Sequence, residues 1–78
     1  MDPLKLIETQ ITKEKLCVDD LVKEVALHTK VGRYQLAAER GRDMQNSIIR
    51  IQQLERQKEL YTCAVDLVSK NGREVINL

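Results

Sequence analysis

The chain has 78 residues, of which 32% are charged and 42% hydrophobic, and its formal net charge is +1. This near-neutral balance gives no general attraction to nucleic acid or to anionic lipid. Tyr34 and Tyr61 are the only aromatic residues, so a core must be built from aliphatic side chains, which favours helix packing over a sheet. A chain of this length buries only about 60% of its unfolded surface, so its own core is thin.

A first helix is predicted over about residues 3–31. Asp2 and Pro3 are suited to the N-cap and the first helical position. The apolar residues that follow recur at alternating spacings of three and four, with two polar residues in the same series; the series is Leu4, Ile7, Ile11, Glu14, Val18, Leu21, Val25 and His28. Other apolar residues beside it predict a wider buried stripe, namely Leu6, Leu16, Cys17, Val22 and Leu27.

Gly32 predicts a turn, and a second helical region follows over about residues 33–70, with Asn71-Gly72 as its stop and a short tail at 71–78. We interpret residues 1–78 as one domain of the all-α class. Because the second region is longer than the first, the chain forms either an antiparallel, coiled-coil-like hairpin with a projecting end or a short three-helix bundle with a break near residues 45–47. Gly41 is expected to allow close approach of the two helices.

The excess of apolar positions on the second region predicts a non-catalytic protein–protein interaction module, an adaptor or chaperone-like stabiliser of another chain. The partner is either a different protein or a second copy. The predicted partner-binding residues are Tyr34, Met44, Ile48, Ile51, Tyr61, Val65 and Val68.

Catalytic chemistry is not indicated. His28 is the only histidine, and Cys17 and Cys63 have no metal-ligand spacing to one another or to it. We expect both cysteines to be free thiols that pack as small buried hydrophobes, and the alternative is a single bridge between the two antiparallel helices. The glycines are too far apart for a phosphate-binding loop. The sequence therefore predicts no enzyme, no metal, no cofactor and no small-molecule substrate.

A nucleic-acid interface is disfavoured, because acidic residues lie among the basic ones and no aromatic residues alternate with them. The candidate patch is Arg33, Arg40, Arg42, Arg50, Arg56 and Lys58. No run of apolar residues is long enough to span a membrane or to form a cleavable signal. A cytoplasmic location is the resulting expectation.

The segment Val31-Gly32-Arg33-Tyr34-Gln35, with the helix that continues through Met44, Ser47, Ile48, Ile49 and Ile51, resembles the small helical-hairpin co-chaperones of bacterial type III secretion. Those proteins stabilise the needle subunit together with a larger repeat-containing chaperone. The resemblance implies that Tyr34 and the stripe from Met44 to Ile51 contact a chaperone partner.

A second resemblance is to the Rho-binding antiparallel coiled-coil fingers of eukaryotic effectors. It involves Lys13-Glu14-Lys15-Leu16 before Leu21, and Asn46-Ser47 before the segment 53–59. This resemblance implies that a Rho-type GTPase binds the hairpin.

Overall fold

The protein is an antiparallel helical hairpin. The computed structural model describes the backbone of residues 2–76 and the side chains of residues 2–68. Helix α1 spans Pro3–Lys30 and helix α2 spans Tyr34–Ile76, and no strand occurs within residues 2–76. The two helices pack along the whole of α1, and the molecule is a rod of 70 × 18 × 13 Å. The predicted all-α hairpin is confirmed.

Both ends of α1 are closed by local hydrogen bonds. At its start, the Leu4 amide donates to Asp2 Oδ1 at 3.1 Å, which is the predicted N-cap. At its end, Gly32 has a φ of +80°, the Gly32 amide donates to the Thr29 carbonyl, and the Arg33 amide donates to the His28 carbonyl at 2.8 Å. This pair of bonds is a Schellman motif, which satisfies carbonyls that the helix leaves free. The chain therefore reverses in three residues.

The eight positions of α1 that recur at spacings of three and four, from Leu4 to His28, form a heptad series, and this series faces α2. All eight of its positions are buried or half-buried, whereas every other residue of α1 is exposed. The predicted wider stripe is wrong, since a single partner helix covers only a narrow seam. The residues that remain exposed are Leu6, Leu16, Cys17, Val22 and Leu27.

Cross-helix side-chain pairs fix the register. Their residue numbers add to 64 or 66 in each case: Glu14 with Arg50, Cys17 with Ser47, Glu24 with Arg40, and Glu8 with Lys58. This register places each position of the α1 series opposite one position of an α2 series. The α2 series is Ala37, Arg40, Met44, Ser47, Ile51, Leu54, Lys58 and Tyr61. Among residues 2–68, the buried hydrophobic side chains are Ile11, Leu21 and Ala37.

Helix α2 is continuous through residues 45–47, so the three-helix alternative is not formed. Gln, Asn and Ser are only mildly unfavourable inside a helix, and Ser47 occupies a buried seam position that continuity of the helix provides. The helix also continues through Gly72 to Ile76, where a stop and a tail were predicted. One glycine costs about 1 kcal/mol, which does not end a helix that lacks a following proline. Residues 77 and 78 lie outside the described residues.

Gly41 does not serve the close helix contact that was expected of it. A Cβ built on this residue would meet no heavy atom of the described residues within 4 Å. The small residue that does pack in the seam near the bend is Ala37, which is buried. Gly41 instead leaves open space beside the seam.

Candidate partner-binding surface

The end of α2 extends beyond α1. The register places Leu4 opposite Tyr61, and α1 begins at Pro3 while α2 continues to Ile76. Residues 63–76 therefore form a projecting segment with no α1 residue opposite them, and its length is about 21 Å at 1.5 Å per residue. The seam of the hairpin therefore ends at the first residue of α1, whereas α2 continues beyond that point.

The seam spacing nevertheless continues into the projecting segment. The next two positions of the α2 series are Val65 and Val68, and these side chains are 48% and 71% exposed. Together with Tyr61 and Ala64 they line a shallow groove of about 320 Å³. We call these four residues the projecting face. Apolar positions that α1 would cover in the hairpin are uncovered here.

The apolar surface of the projecting segment is also wider than the seam. Leu60 and Leu67, both exposed, lie on the helix next to Ala64, which lies next to the seam positions. These residues fill four adjacent positions of the heptad wheel, whereas a two-helix seam uses two. A surface of that width is typical of a helix that packs against more than one neighbour.

The predicted partner-binding residues divide into two groups. Met44 and Ile51 are half-buried in the seam against α1, so the hairpin itself uses them. Tyr34 is exposed near the bend, and Ile48 is exposed beside the middle of the seam. The remaining three, Tyr61, Val65 and Val68, belong to the projecting face. The structure does not bring the seven residues together into one surface.

A polar cluster interrupts the middle of the seam. Arg50 Nε donates to Glu14 Oε1 at 3.1 Å and Arg50 donates through a second nitrogen to Ser47 Oγ at 3.2 Å. Ser47 is 1% exposed, and its hydroxyl lies 3.7 Å from Cys17 Sγ. The second Glu14 oxygen is buried with no hydrogen-bond partner among the described residues. This cluster costs desolvation free energy, and it marks one register of the two helices.

The same side of the hairpin carries most of its ion pairs. Arg40 contacts Asp43 at 3.0 Å and Glu24 at 4.0 Å, and Arg50 contacts Glu14. Lys58 contacts Glu8 at 3.6 Å. Half of the six residues of the candidate nucleic-acid patch are therefore paired with carboxylates. A groove of about 380 Å³ on this side contains Glu14 and Arg50, whose charges neutralise each other.

Three other sequence expectations concern chemistry. Cys17 and Cys63 are free thiols, as predicted, but both are exposed rather than buried. His28 is half-buried at the end of α1, and its Nδ1 has no hydrogen-bond partner within the described part of the chain. Among the described residues, no group of three or more His, Cys, Asp and Glu side chains is arranged to hold a metal ion.

Exposed apolar side chains also lie on the other side of the seam. Val22 of α1 is 49% exposed and Ile48 of α2 is 40% exposed. The register sets Val22 near the level of Gly41, where an added Cβ would have open space. It sets Ile48 beside Lys15 and Asp19 of α1, so this side of the hairpin also carries charge.

No protein family, curated protein or solved structure matches this chain. Neither α1 nor the described part of α2 has a stretch that is long and apolar enough to cross a bilayer. The fold and the uncovered surfaces define a two-helix hairpin with a projecting helical end.

Proposed function

We propose that this protein is a non-catalytic interaction module, an adaptor or chaperone-like stabiliser that holds an amphipathic helix of a partner chain on its projecting face. The observation that supports it is the continuation of the α2 seam beyond α1, where Val65 and Val68 repeat the spacing of buried positions but are exposed. A partner helix placed there would continue the line of α1 and complete the seam.

The free energy available at the projecting face is moderate. Full burial of a valine side chain contributes roughly 1.5 kcal/mol or more, and Val65 and Val68 are about half and three-quarters exposed. Tyr61 is already half-buried, so it contributes less apolar area and offers its hydroxyl to the partner. A partner must therefore cover Leu60 and Leu67 as well to bind tightly, and the width of the apolar surface permits this.

Binding at this face depends on apolar contact rather than on charge. The positions that flank Val65 and Val68 towards a partner are Thr62 and Ala64, which are uncharged. Affinity should therefore change little between low and high salt. A nucleic-acid complex would behave in the opposite way, because its affinity falls steeply with salt.

Several partners would satisfy this geometry. The resemblance to type III secretion co-chaperones suggests a larger helical chaperone, and the resemblance to coiled-coil fingers suggests a Rho-type GTPase. In the first case the proposal also places the protein in the cytoplasm, where such complexes form before secretion. In a capture experiment, a GTPase partner would be recognised because the amount of it recovered would depend on GTP.

The proposal is tested by capture from nuclease-treated cell extract with three immobilised chains: the wild type, Val65→Glu and Cys63→Glu. Both substitutions place a carboxylate on the projecting segment, but Cys63 lies on the side away from the projecting face. A partner identified by mass spectrometry should be lost with Val65→Glu and kept with Cys63→Glu, and the purified pair should give the same ranking in a titration. Equal binding by all three chains, or loss of binding in high salt alone, would contradict the proposal.

A further inference from the structure

Helix α1 carries a second regular stripe, on the side of the hairpin that holds most of the ion pairs. Its members recur at alternating spacings of four and three, as the seam positions do, but every one of them is exposed. Gln10 and Lys13 line one groove of about 380 Å³ on this side, and Cys17 lines a second groove of the same volume. We call the stripe the lateral stripe, and it consists of Leu6, Gln10, Lys13, Cys17, Asp20, Glu24 and Leu27.

The lateral stripe is symmetric about Cys17. Its two ends are Leu6 and Leu27, which are 46% and 59% exposed. Lys13 and Asp20, of opposite charge, lie on either side of Cys17, and neither takes part in an ion pair within residues 2–68. Reversing the direction of this stripe exchanges the two leucines with one another and the two charges with one another. The stripe is therefore complementary to an antiparallel copy of itself.

We infer that the lateral stripe is a self-association surface, on which a second copy of this chain packs antiparallel with a two-fold axis beside Cys17. Each pair of residues then occurs twice, because a two-fold contact uses the same surface of both copies. The residue numbers of every pair add to 33 or 34, so the register is as constant as that of the seam. The pairs are Leu6 with Leu27, Gln10 with Glu24, Lys13 with Asp20, and Cys17 with its own counterpart.

The same axis opposes no like charges on α2. The α1–α2 register sets Cys17 near the level of Ser47, so α2 residues on this side pair across the axis when their numbers add to 96. Each charged residue of α2 on this side then lies opposite an amide, which donates to a carboxylate or accepts from a guanidinium. Like charges brought together would oppose such a contact. The pairs are Glu39 with Gln57, Asp43 with Gln53, and Arg50 with Asn46.

The contact has the size of a standard interface. Because Cys17 is close to the middle of α1, the two copies overlap over all 28 residues of this helix, a length of about 42 Å. The hairpin is 18 Å wide, so the overlap covers about 750 Å² on each copy, close to the roughly 800 Å² that a standard interface buries on each partner. The projecting segments point away from one another at opposite ends of the dimer. The inference therefore does not depend on the proposed function.

The first test is sedimentation equilibrium of the purified full chain, with variants that disrupt the charge pattern and then restore it. The wild type should reach twice the 9.0 kDa of one chain. Lys13→Asp and Asp20→Lys should each raise the dissociation constant at least about tenfold, because two attractive contacts in every dimer become repulsive. The double variant Lys13→Asp/Asp20→Lys should dimerise again, since it exchanges the two charges in both copies. This recovery would exclude misfolding as the cause of the single-variant losses.

The leucines at the ends of the stripe provide a second comparison. Leu27→Glu should raise the dissociation constant at least about 100-fold, because each dimer loses two apolar side chains from its interface. Leu16→Glu is the matched control, since Leu16 is 61% exposed against 59% for Leu27 but lies on the side of α1 directly away from the seam. It should leave the dimer unchanged.

Cys17 reports the position of the axis. Both thiols are free and exposed, and a short bis-maleimide should join two chains of the Cys63→Ser variant but not of the Cys17→Ser variant. A monomeric wild type at high concentration would overturn the inference, as would a double charge variant that stays dissociated or chains that are joined only through Cys63. A dimer abolished by Val65→Glu but not by Leu27→Glu would also overturn it, and would assign self-association to the projecting face.

Discussion

The two glycines at the bend and beside the seam should respond to alanine with opposite signs. Gly41 lies inside α2 with a helical backbone, and a Cβ there meets no heavy atom of the described residues within 4 Å. Gly41→Ala should therefore yield the intrinsic gain in helix propensity of about 0.8–1 kcal/mol, without a packing penalty. Gly32 has a φ of +80°, so Gly32→Ala should cost about 1–2 kcal/mol although its surroundings are equally open.

The measurement is urea unfolding followed by far-ultraviolet circular dichroism, at a concentration where sedimentation shows a single monomeric species. The two variants should differ from one another by roughly 2–3 kcal/mol in free energy of unfolding. For a domain of this size, 1 kcal/mol corresponds to a shift of about 4–8 °C in Tm. A destabilising Gly41→Ala would mean that another part of the chain approaches its backbone, and a neutral Gly32→Ala would mean that the turn does not need a left-handed residue. Either result would refute this account of the hairpin.

Two further substitutions test the seam and the cap. Glu14→Leu should stabilise the hairpin by about 1–3 kcal/mol, because it removes a buried oxygen without a partner and adds an apolar side chain to the seam. Arg50 stays hydrated in this variant, since its side chain is 54% exposed. A loss of stability in the same urea assay would show that the free energy of the ion pair outweighs the cost of its desolvation. Asp2→Ala should cost about 1 kcal/mol by removing the acceptor of the Leu4 amide, and Asp2→Asn should restore most of it. Equal stability of the three chains would show that water replaces the cap.

The sequence predicted the hairpin well because two independent signals agree along α1. The Asp2-Pro3 start and the Gly32 stop are local, and each is confirmed by its own hydrogen bonds. The heptad series, in contrast, extends over the whole of α1, and every one of its positions faces the partner helix. Where a local signal and a periodic signal specify the same element, a single sequence is sufficient.

Prediction was wrong where a residue type fits two environments. Asn71-Gly72 resembles a stop, but the residues that follow are compatible with helix, so α2 continues to Ile76. Leu16 and Leu27 are apolar and were assigned to a buried stripe, but one partner helix does not reach them. Gly41 could relieve crowding or leave a gap, and only the packing distinguishes these cases. The candidate partner-binding surface depends on that same packing, since it consists of apolar positions that the hairpin leaves uncovered.

Because few side chains are buried, the lifetime of this chain should depend on whether a ligand is bound to it. With Ile11, Leu21 and Ala37 as the buried hydrophobic residues among positions 2–68, the free hairpin has little stability in reserve. Any ligand that binds only the folded form adds stability by mass action, about 2.7 kcal/mol at one hundred times its dissociation constant. Unbound copies would unfold and be degraded more often than bound ones. With a partner of the kind proposed, the amount of this protein in a cell would follow the amount of that partner, without a dedicated regulator.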